Sequence, residues 1–294
     1  MNEILILADG SCILKSPAKL NLYLKVLGKR PDGYHSIETV FERIDLCDEI
    51  KLRSLKKDIV ISCDNPAVPV DSRNLVYKAA QILKERYSIS SGVEIILKKR
   101  IPVAAGLGGA SSNCASCLMG LNRLWDLKLD ENEIFQIGSG IGADVAFFLL
   151  DAGRALGRGK GEMLEPLHRG EVFWYLLVNP GFEVLAKDAY FGLNLGLTHL
   201  DNSSKINIHS LERVKYEDIS RFLFNSLERP VEEKFKEISM MKSEIKNAGL
   251  SLTLMSGSGP TVYGIASSKE ELLKAMNRLS LREGWQAFVA ATQW

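Results

Sequence analysis

A glycine-rich stretch spans residues 102–113 and reads PVAAGLGGASSN. It follows a strand-like run, GVEIILKK, and leads into an apolar helical pattern that carries Cys114 and Cys117. Glycine permits backbone conformations in which successive N–H groups converge on an anion, and the N-terminus of a helix attracts phosphate. The stretch therefore predicts either a phosphate cradle for a nucleotide or a flexible connection between a strand and a helix.

Two better-known phosphate-binding patterns do not fit this chain. The P-loop pattern G-x-x-x-x-G-K-[ST] needs a lysine, which does not follow these glycines. The run GRALGRGK is close to it, but Gly161 stands where serine or threonine is required. The dinucleotide pattern G-x-G-x-x-G begins at Gly106 and meets Ser111 at its last position.

Upstream of the loop, residues 19–26 alternate between polar and apolar side chains, which predicts a half-buried strand. Lys19 and Asn21 share the polar face of this strand. That face is either a solvated surface or the place of a functional pair, and the stretch alone leaves both open.

Asp144 precedes the apolar run VAFFLL in the segment GSGIGADVAFFLL. A carboxylate at the start of such a run is expected to be partly desolvated, so it needs a cationic partner or a chemical task. A lysine paired with an aspartate can hold a hydroxyl group for removal of its proton. A structural ion pair or a helix cap is the alternative.

Two turns carry further candidate residues. The run MSGSGP at 255–260 lies between two strand-like runs and is either a hairpin turn or another backbone anion site. Asp32 and Gly33 mark a second turn, which Tyr34 and His35 follow. These two rings either face solvent or stack on a base.

The composition bounds the class of protein. The 294 residues are 46% hydrophobic and 25% charged, with a net charge of +1, so bulk attraction to nucleic acid or to an anionic membrane is not expected. The N-terminus MNEILILADG lacks a basic region ahead of an apolar stretch, which favours a cytoplasmic protein. Cys114 and Cys117 fall on one helical stripe, so we interpret them as small core residues rather than a redox or zinc pair.

The order of strand-like and helical patterns favours an α+β fold. The run SRNLVYKAAQILKERY predicts a helix capped by Asp71 or Ser72, and further helices are expected near 184–194, 217–228 and 230–247. The run GRALGRGKGE predicts a hairpin or connector. We place the domain boundary there, with domains at 1–155 and 156–294.

Taken in order, three motifs resemble those of the GHMP kinase family: SPAKLNLYLKV, PVAAGLGGASSNCAS and MSGSGPTVYGI. The resemblance implies a two-domain α+β fold with an N-terminal ATP-binding domain and the active site in the cleft between the domains. The second motif departs from the family pattern at Ala104 and Ala110, where glycine is common. Ala146 replaces a common proline, and Ala186 a common threonine.

The resemblance also implies an activity. The segments GKRPDGYHSIETVFERIDLCDEI and GADVAFF point to a member that uses ATP, with Mg²⁺, to phosphorylate the 2-hydroxyl of a cytidylated methylerythritol in the non-mevalonate route to isoprenoids. Alternatives are a relative with a mevalonate- or homoserine-type acceptor and a non-catalytic nucleotide-binding regulator. Partners are small molecules rather than nucleic acid or membrane. The metal ligands and the oligomeric state stay open.

Residue roles follow from the same resemblance. Asp144 matches the catalytic base, and Lys19 matches the lysine that pairs with it and orients the hydroxyl. The ATP-binding set comprises Asn74 and the glycine-rich loop, namely Pro102, Val103, Ala104, Ala105, Gly106, Leu107, Gly108, Gly109, Ala110, Ser111 and Ser112. The substrate-binding set comprises Asp144, Asn21, the cytosine-recognition residues Tyr34, His35 and Tyr190, and the turn residues Gly257, Ser258 and Gly259. Among the recognition residues, His35 would read the base edge while Tyr34 and Tyr190 stack on its faces.

Overall fold

The computed structural model describes residues 4–193 and 213–294 and divides the chain into two compact units. Unit 1 comprises Met1–Ala18, Cys47–Val103 and Gly108–Asp151, and unit 2 comprises Lys19–Leu46, Ala104–Leu107 and Ala152–Trp294. Both units combine strands and helices, which confirms the predicted α+β class. The boundary at 155/156 stays a prediction. The compact units divide differently, because two long strands each run from one unit into the other.

Unit 1 combines a sheet with four helices. Its strands are β1 (Ile4–Ile6), β4 (Ile59–Cys63) and β5 (Gly92–Lys98), together with the unit 1 parts of β2 (Cys12–Lys29) and β3 (His35–Leu55). The strands pair in the order β1-β2-β3-β5-β4. The helices are α1 (Leu75–Arg86), α2 (Gly109–Leu124), α3 (Glu131–Ile141) and α4 (Ala143–Leu149). Strand β4 pairs parallel with β5, while β3 and β5 pair antiparallel.

Helix α2 packs on this sheet through its small residues. A Cβ atom at Gly120 would lie 2.5 Å from a methyl group of Leu52 and 2.8 Å from one of Leu14, so the helix approaches the strands closely. Cys114 and Cys117 are fully buried on the same helix, and burial raises the pKa of Cys114 to about 12. Their interpretation as core residues is therefore confirmed.

Two expectations about helices are wrong. Helix α1 is capped by Asn74 rather than by Asp71 or Ser72, because the Asn74 Oδ1 accepts a hydrogen bond from Val76 N at 3.0 Å. Asp71 instead closes the preceding turn by accepting from Arg73 N at 2.9 Å. The helix expected near 217–228 is only Tyr216–Ile219 and is followed by the short strand Phe224–Asn225.

Unit 2 contains the other elements that the structure describes. Its strands are β6 (Arg154–Arg158), β7 (Met163–Leu167), β8 (Trp174–Asn179), β9 (Phe224–Asn225), β10 (Leu252–Met255), β11 (Val262–Ala266) and β12 (Gln286–Ala291). Its helices are α5 (Ala186–Phe191), α6 (Tyr216–Ile219), α7 (Glu228–Lys234), α8 (Glu237–Asn247) and α9 (Lys269–Arg278). Strands β10-β11-β8-β12 form an antiparallel sheet, and α8 and α9 pack against it.

Strand pairing attaches the rest of unit 2 to β2 and β3. Strands β6 and β7 form the predicted hairpin, which pairs with β3 in the register Thr39 to Gly157. The two residues of β9 run parallel to β2, with Tyr23 opposite Phe224. Within the described residues, no helix combines the length and the apolar character needed to cross a membrane.

A buried ion pair fastens strand β3 to the hairpin. The Arg154 Nε donates to Glu42 Oε2 at 2.5 Å, and both side chains are inaccessible to solvent. The other carboxylate oxygen of Glu42 accepts from the hydroxyl groups of Tyr175, at 2.8 Å, and Thr292. Strands β3, β6 and β8 and the C-terminal segment thus meet at one carboxylate.

We predict that Glu42→Gln lowers the free energy of unfolding by about 3–5 kcal/mol, because it leaves the buried Arg154 guanidinium without its counter-charge. Glu49→Gln is the matched control. Glu49 lies in the same strand, and its ion pair with Lys98 is exposed, so its loss should cost about 0–1 kcal/mol. Denaturant unfolding of both variants checks this. Equal decreases in the free energy of unfolding would show that the buried ion pair contributes no more to stability than the exposed one.

Candidate active site

Strand β2 carries Lys19 and Asn21 on a buried face. Their side chains are 4% and 2% exposed, so the interpretation of this face as a solvated surface is wrong. The Lys19 Nζ donates to Asn21 Oδ1 at 2.5 Å and lies 5.6 Å from the centroid of the Phe41 ring. The Asn21 Nδ2 donates in turn to Thr39 Oγ1 at 2.7 Å. The strand therefore presents a buried ammonium group that is held in place by polar and aromatic neighbours.

The turn between β10 and β11 packs directly on this pair. Gly257 has a φ of +57°, and a Cβ atom there would lie 3.2 Å from Asn21 Oδ1, from Lys19 Nζ and from Gly106 O. The Ser256 hydroxyl donates to Gly106 O at 3.0 Å. Unit 2 thus brings together three of the sequence motifs: the strand with Lys19, the middle of the glycine-rich loop and the Gly257 turn.

Ser258 and Gly259 complete this turn. The Gly259 N–H donates to Ser256 O at 2.9 Å, so the turn closes on itself. A side chain at Gly106, which has a φ of +75°, would collide with the carbonyl oxygen of Ser256. The glycine-rich loop and the β10–β11 turn can therefore approach each other closely only because Gly106 and Gly257 have no side chain.

The glycine-rich loop alternates between ordinary and left-handed backbone conformations. The φ angles of Ala104, Gly106 and Gly108 are +50°, +75° and +71°. Pro102 and Val103 lead into this stretch, and the side chains of Ala105 and Leu107 are buried within it. The Leu107 carbonyl accepts a hydrogen bond from Lys19 N at 3.0 Å, which ties the loop to β2.

The loop ends at the start of α2. Gly109, Ala110, Ser111 and Ser112 form the first turn of this 16-residue helix. The Ser112 side chain is fully buried, and its hydroxyl finds no hydrogen-bond partner among the residues that the structure describes. The helix start thus combines N–H groups, which attract anions, with a buried hydroxyl.

A buried carboxylate that the sequence analysis missed fixes both flanks of the loop. The Asp48 Oδ1 accepts from Arg100 N at 2.8 Å and from Ile101 N at 2.9 Å. Its Oδ2 accepts from Asn113 Nδ2 at 2.9 Å and from the ammonium group of Lys99. A signal was present in the sequence, because Asp48 occupies an inward position of β3 between the buried apolar residues Leu46 and Ile50.

Asp144 lies at the second residue of α4 in unit 1 and is half-buried. The next four residues of the helix are all buried, so its backbone is fixed by packing. Ala146, in place of the proline common in the family, is one of these buried residues, and it continues the helix. The role of Asp144 as base stays a prediction.

Asn74 has a structural task at the start of α1. Besides capping the helix through Oδ1, its Nδ2 donates to Pro69 O at 2.7 Å. Both ends of the side chain are therefore engaged within unit 1. Its role in ATP binding stays a prediction.

The three residues expected to recognise cytosine, Tyr34, His35 and Tyr190, have distinct surroundings in unit 2. The rings of His35 and Tyr190 stack directly, with centroids 4.6 Å apart and planes 14° apart. A base between two rings needs about 7 Å, so no base fits between these two as they stand. Tyr34 is 61% exposed, and its ring lies 4.6 Å from the Lys160 ammonium group.

Burial, together with the charge of Lys29, lowers the pKa of His35. The imidazole is therefore neutral near pH 7. A neutral imidazole has one donor and one acceptor nitrogen. It can therefore recognise a polar edge that offers both kinds of group.

We predict opposite effects of glycine at the two alanines of the loop. Ala104 has a positive φ, which costs a residue with a Cβ about 1–2 kcal/mol, so Ala104→Gly should leave the free energy of unfolding unchanged or raise it. Ala110 lies in α2, where Ala110→Gly should lower that free energy by about 0.5–1 kcal/mol. Thermal unfolding compares the two variants. A larger decrease in the free energy of unfolding for Ala104→Gly than for Ala110→Gly would show that Ala104 is unstrained.

Known proteins resemble this chain over most of its length. The family model of the GHMP kinases N terminal domain matches residues 74–152, and that of the GHMP kinases C terminal domain matches residues 208–282. The chain is 42% identical, over 90% of its length and 92% of the relative, to 4-diphosphocytidyl-2-C-methyl-D-erythritol kinase of Geobacillus kaustophilus. It is 40% identical, over 90% of its length and 91% of the relative, to the enzyme of that name in Bacillus subtilis.

Solved structures give the same result. A crystal structure of 4-(cytidine 5'-diphospho)-2C-methyl-D-erythritol kinase superposes with a TM-score of 0.80 at 31% identity and covers 95% of this chain and 98% of that chain. Homoserine kinase from Cytophaga hutchinsonii, at 20% identity and a TM-score of 0.65, covers 96% of this chain and 94% of its own and shares the fold. The motifs, the two family models and these relatives together show that the chain belongs to the GHMP kinase family.

Proposed function

We propose that this chain transfers the γ-phosphoryl group of ATP to the 2-hydroxyl of 4-diphosphocytidyl-2-C-methyl-D-erythritol, in the non-mevalonate route to isoprenoids. One observation carries the proposal. The relatives of that name are 40–42% identical over 90% of the chain, and the buried Lys19–Asn21 pair lies against the two glycine turns that the family motifs supply. The sequence identity and this buried pair both support the proposed activity.

The glycine-rich loop and the start of α2 are the proposed ATP site. Phosphoryl transfer depends mainly on positioning and on stabilisation of charge. The backbone N–H groups of a loop with alternating left-handed residues can surround phosphate oxygens, and the N-terminus of the 16-residue helix α2 adds a favourable dipole. Asp48 would keep both flanks of this loop in place when the phosphate binds.

Asp144 is the proposed base, and Lys19 orients the acceptor. The carboxylate takes the proton of the 2-hydroxyl group as its oxygen forms a bond to the γ-phosphorus. The bond between that phosphorus and the bridging oxygen of ADP breaks, so ADP leaves with the electron pair. The Lys19 ammonium group stabilises the negative charge on the reacting oxygens. Asn21 fixes the ammonium position.

A magnesium ion fits the helix start. Bound with ATP, Mg²⁺ would neutralise charge on the phosphate oxygens. It takes oxygen ligands and keeps several waters, so one or two protein oxygens are enough. The buried Ser112 hydroxyl, which has no partner among the described residues, and the neighbouring Ser111 would supply them. Described side chains form no cluster of three His, Cys, Asp or Glu for a metal.

The cytosine ring is the proposed anchor of the acceptor. His35 stacks on one face of Tyr190, so that face is not the one on which the base would stack. Tyr34 and Tyr190 would form the stacking platform, and the neutral His35 would read the base edge. Relatives that phosphorylate mevalonate or homoserine have no use for such a platform, which favours the cytidylated acceptor over the alternatives.

The proposed compartment is the cytoplasm. All five cysteines are free thiols, which is usual for proteins of a reducing compartment. The acceptor and ATP are both small molecules, so the proposed chemistry requires no nucleic acid or membrane partner.

We predict that Asp144→Asn lowers turnover by roughly 10²–10⁴, because the amide keeps the shape of the side chain but cannot accept the proton. ATP affinity should stay near that of the wild type. Asp126→Asn is the control, since Asp126 is exposed in the same unit and pairs only at the surface with Lys128. Steady-state kinetics with the cytidylated acceptor measure both variants. A full turnover rate for Asp144→Asn in a folded protein would remove Asp144 from the mechanism.

We predict that Tyr190→Ala raises the KM of the cytidylated acceptor about tenfold or more, since stacking of a base on an aromatic ring contributes about 1–3 kcal/mol. The KM of ATP should change little. Tyr190→Phe keeps the ring and should behave like the wild type. Equal acceptor KM values for the alanine and phenylalanine variants would exclude a stacking role.

A further inference from the structure

Asn225, in strand β9, lies behind the turn that contacts Lys19. The side chain is 6% exposed. Its Nδ2 donates to two carbonyl oxygens of the turn, Met255 O and Gly257 O, each at 2.8 Å. Its Oδ1 accepts from Leu227 N at 2.9 Å. The whole amide is thus hydrogen-bonded, and its two donor hydrogens both serve the turn.

Glu228, three residues further along the chain, holds the same turn from the side of β10. Its Oε2 accepts from Met255 N at 2.6 Å, and its Oε1 pairs with the Lys242 ammonium group. The N–H and C=O groups of Met255 are therefore both bonded to the one segment 225–228. This segment fixes the point where the turn leaves β10.

The hydrogen bond from Asn225 to the Gly257 carbonyl also sets the direction of the Ser258 N–H group. The peptide group is planar and trans, so its N–H points opposite to its C=O. Because Asn225 holds Gly257 O, it also fixes the direction of the Ser258 N–H, which points away from Asn225. Gly257 in turn lies against Lys19 and Asn21. A Cβ atom at Gly257 would lie 3.2 Å from Lys19 Nζ and from Asn21 Oδ1.

We propose that Asn225 is a positioning residue of the active site. It keeps the Gly257–Ser258 peptide in one orientation, so that Gly257 confines the Lys19 ammonium group and the Ser258 N–H is directed to an oxygen of the bound acceptor. Asn225 itself touches neither Lys19 nor the acceptor. This inference rests on the proposed function, since it assigns the turn to the acceptor of that reaction.

Asn225→Asp is the variant that isolates this role. Aspartate keeps the shape and the acceptor for Leu227 N but removes the donors to the turn. Asn225→Ser is a milder second variant, because its shorter side chain withdraws both donors from the turn without adding a charge. Ser226→Ala is the matched control, because Ser226 is the next residue and its hydroxyl accepts from Val26 N at 3.1 Å rather than from the turn.

We expect Asn225→Asp to lower kcat roughly 10–100-fold, the range for a small misplacement of catalytic groups. Asn225→Ser should lie between it and the wild type. The KM of ATP should stay near the wild-type value in both, and Ser226→Ala should keep the wild-type kcat. A loss confined to stability, with kcat unchanged below the unfolding transition, would overturn the proposal.

Amide hydrogen exchange over residues 255–259 gives a readout that is independent of the acceptor. Exchange there should be faster in Asn225→Asp than in Ser226→Ala. If it is equal in the two variants, Asn225 does not hold the turn and the inference fails. If the wild type phosphorylates no cytidylated acceptor, the proposed function fails, while the exchange comparison still decides whether Asn225 positions the turn.

Discussion

The Lys19 ammonium group has to be solvated by the protein, because it is buried on strand β2 and a buried charge without hydrogen bonds is unstable. Asn21 accepts from it, the centroid of the Phe41 ring lies 5.6 Å away, and the backbone at Gly257 lies against it. This requirement explains why two glycine turns from distant parts of the chain meet at one strand. A side chain at Gly106 would collide with the carbonyl oxygen of Ser256. A side chain at Gly257 would lie against the Lys19 ammonium group.

Much of this arrangement can be predicted from the sequence, because backbone needs and periodicity leave local signals. The glycines of the loop mark left-handed positions, the alternation around Lys19 marks a strand, and the run GRALGRGKGE marks the β6–β7 hairpin. The α+β class follows from the same patterns. The family resemblance adds the expected roles, and the comparisons confirm the family.

The rest depends on contacts between distant residues, which no local pattern contains. The polar face of β2 lies against the Gly257 turn, more than 200 residues away, so the strand alone leaves open whether that face is solvated. Asn225 looks like an ordinary residue before a helix, and only the fold places it behind that turn. The direct stack of His35 on Tyr190 likewise joins two distant segments. Ala104 shows the converse, since it keeps a glycine-like conformation without being glycine.

We propose that a buried lysine and two glycine turns serve phosphorylation of a cytidylated alcohol. The most direct test is ³¹P NMR of the wild-type protein with ATP and Mg²⁺, offered 4-diphosphocytidyl-2-C-methyl-D-erythritol, its uridine analogue, mevalonate and homoserine in turn. We expect a new phosphate monoester on the 2-hydroxyl of the cytidine compound, with the other three acceptors poor. Equal phosphorylation of the uridine analogue, or a preference for mevalonate or homoserine, would contradict it.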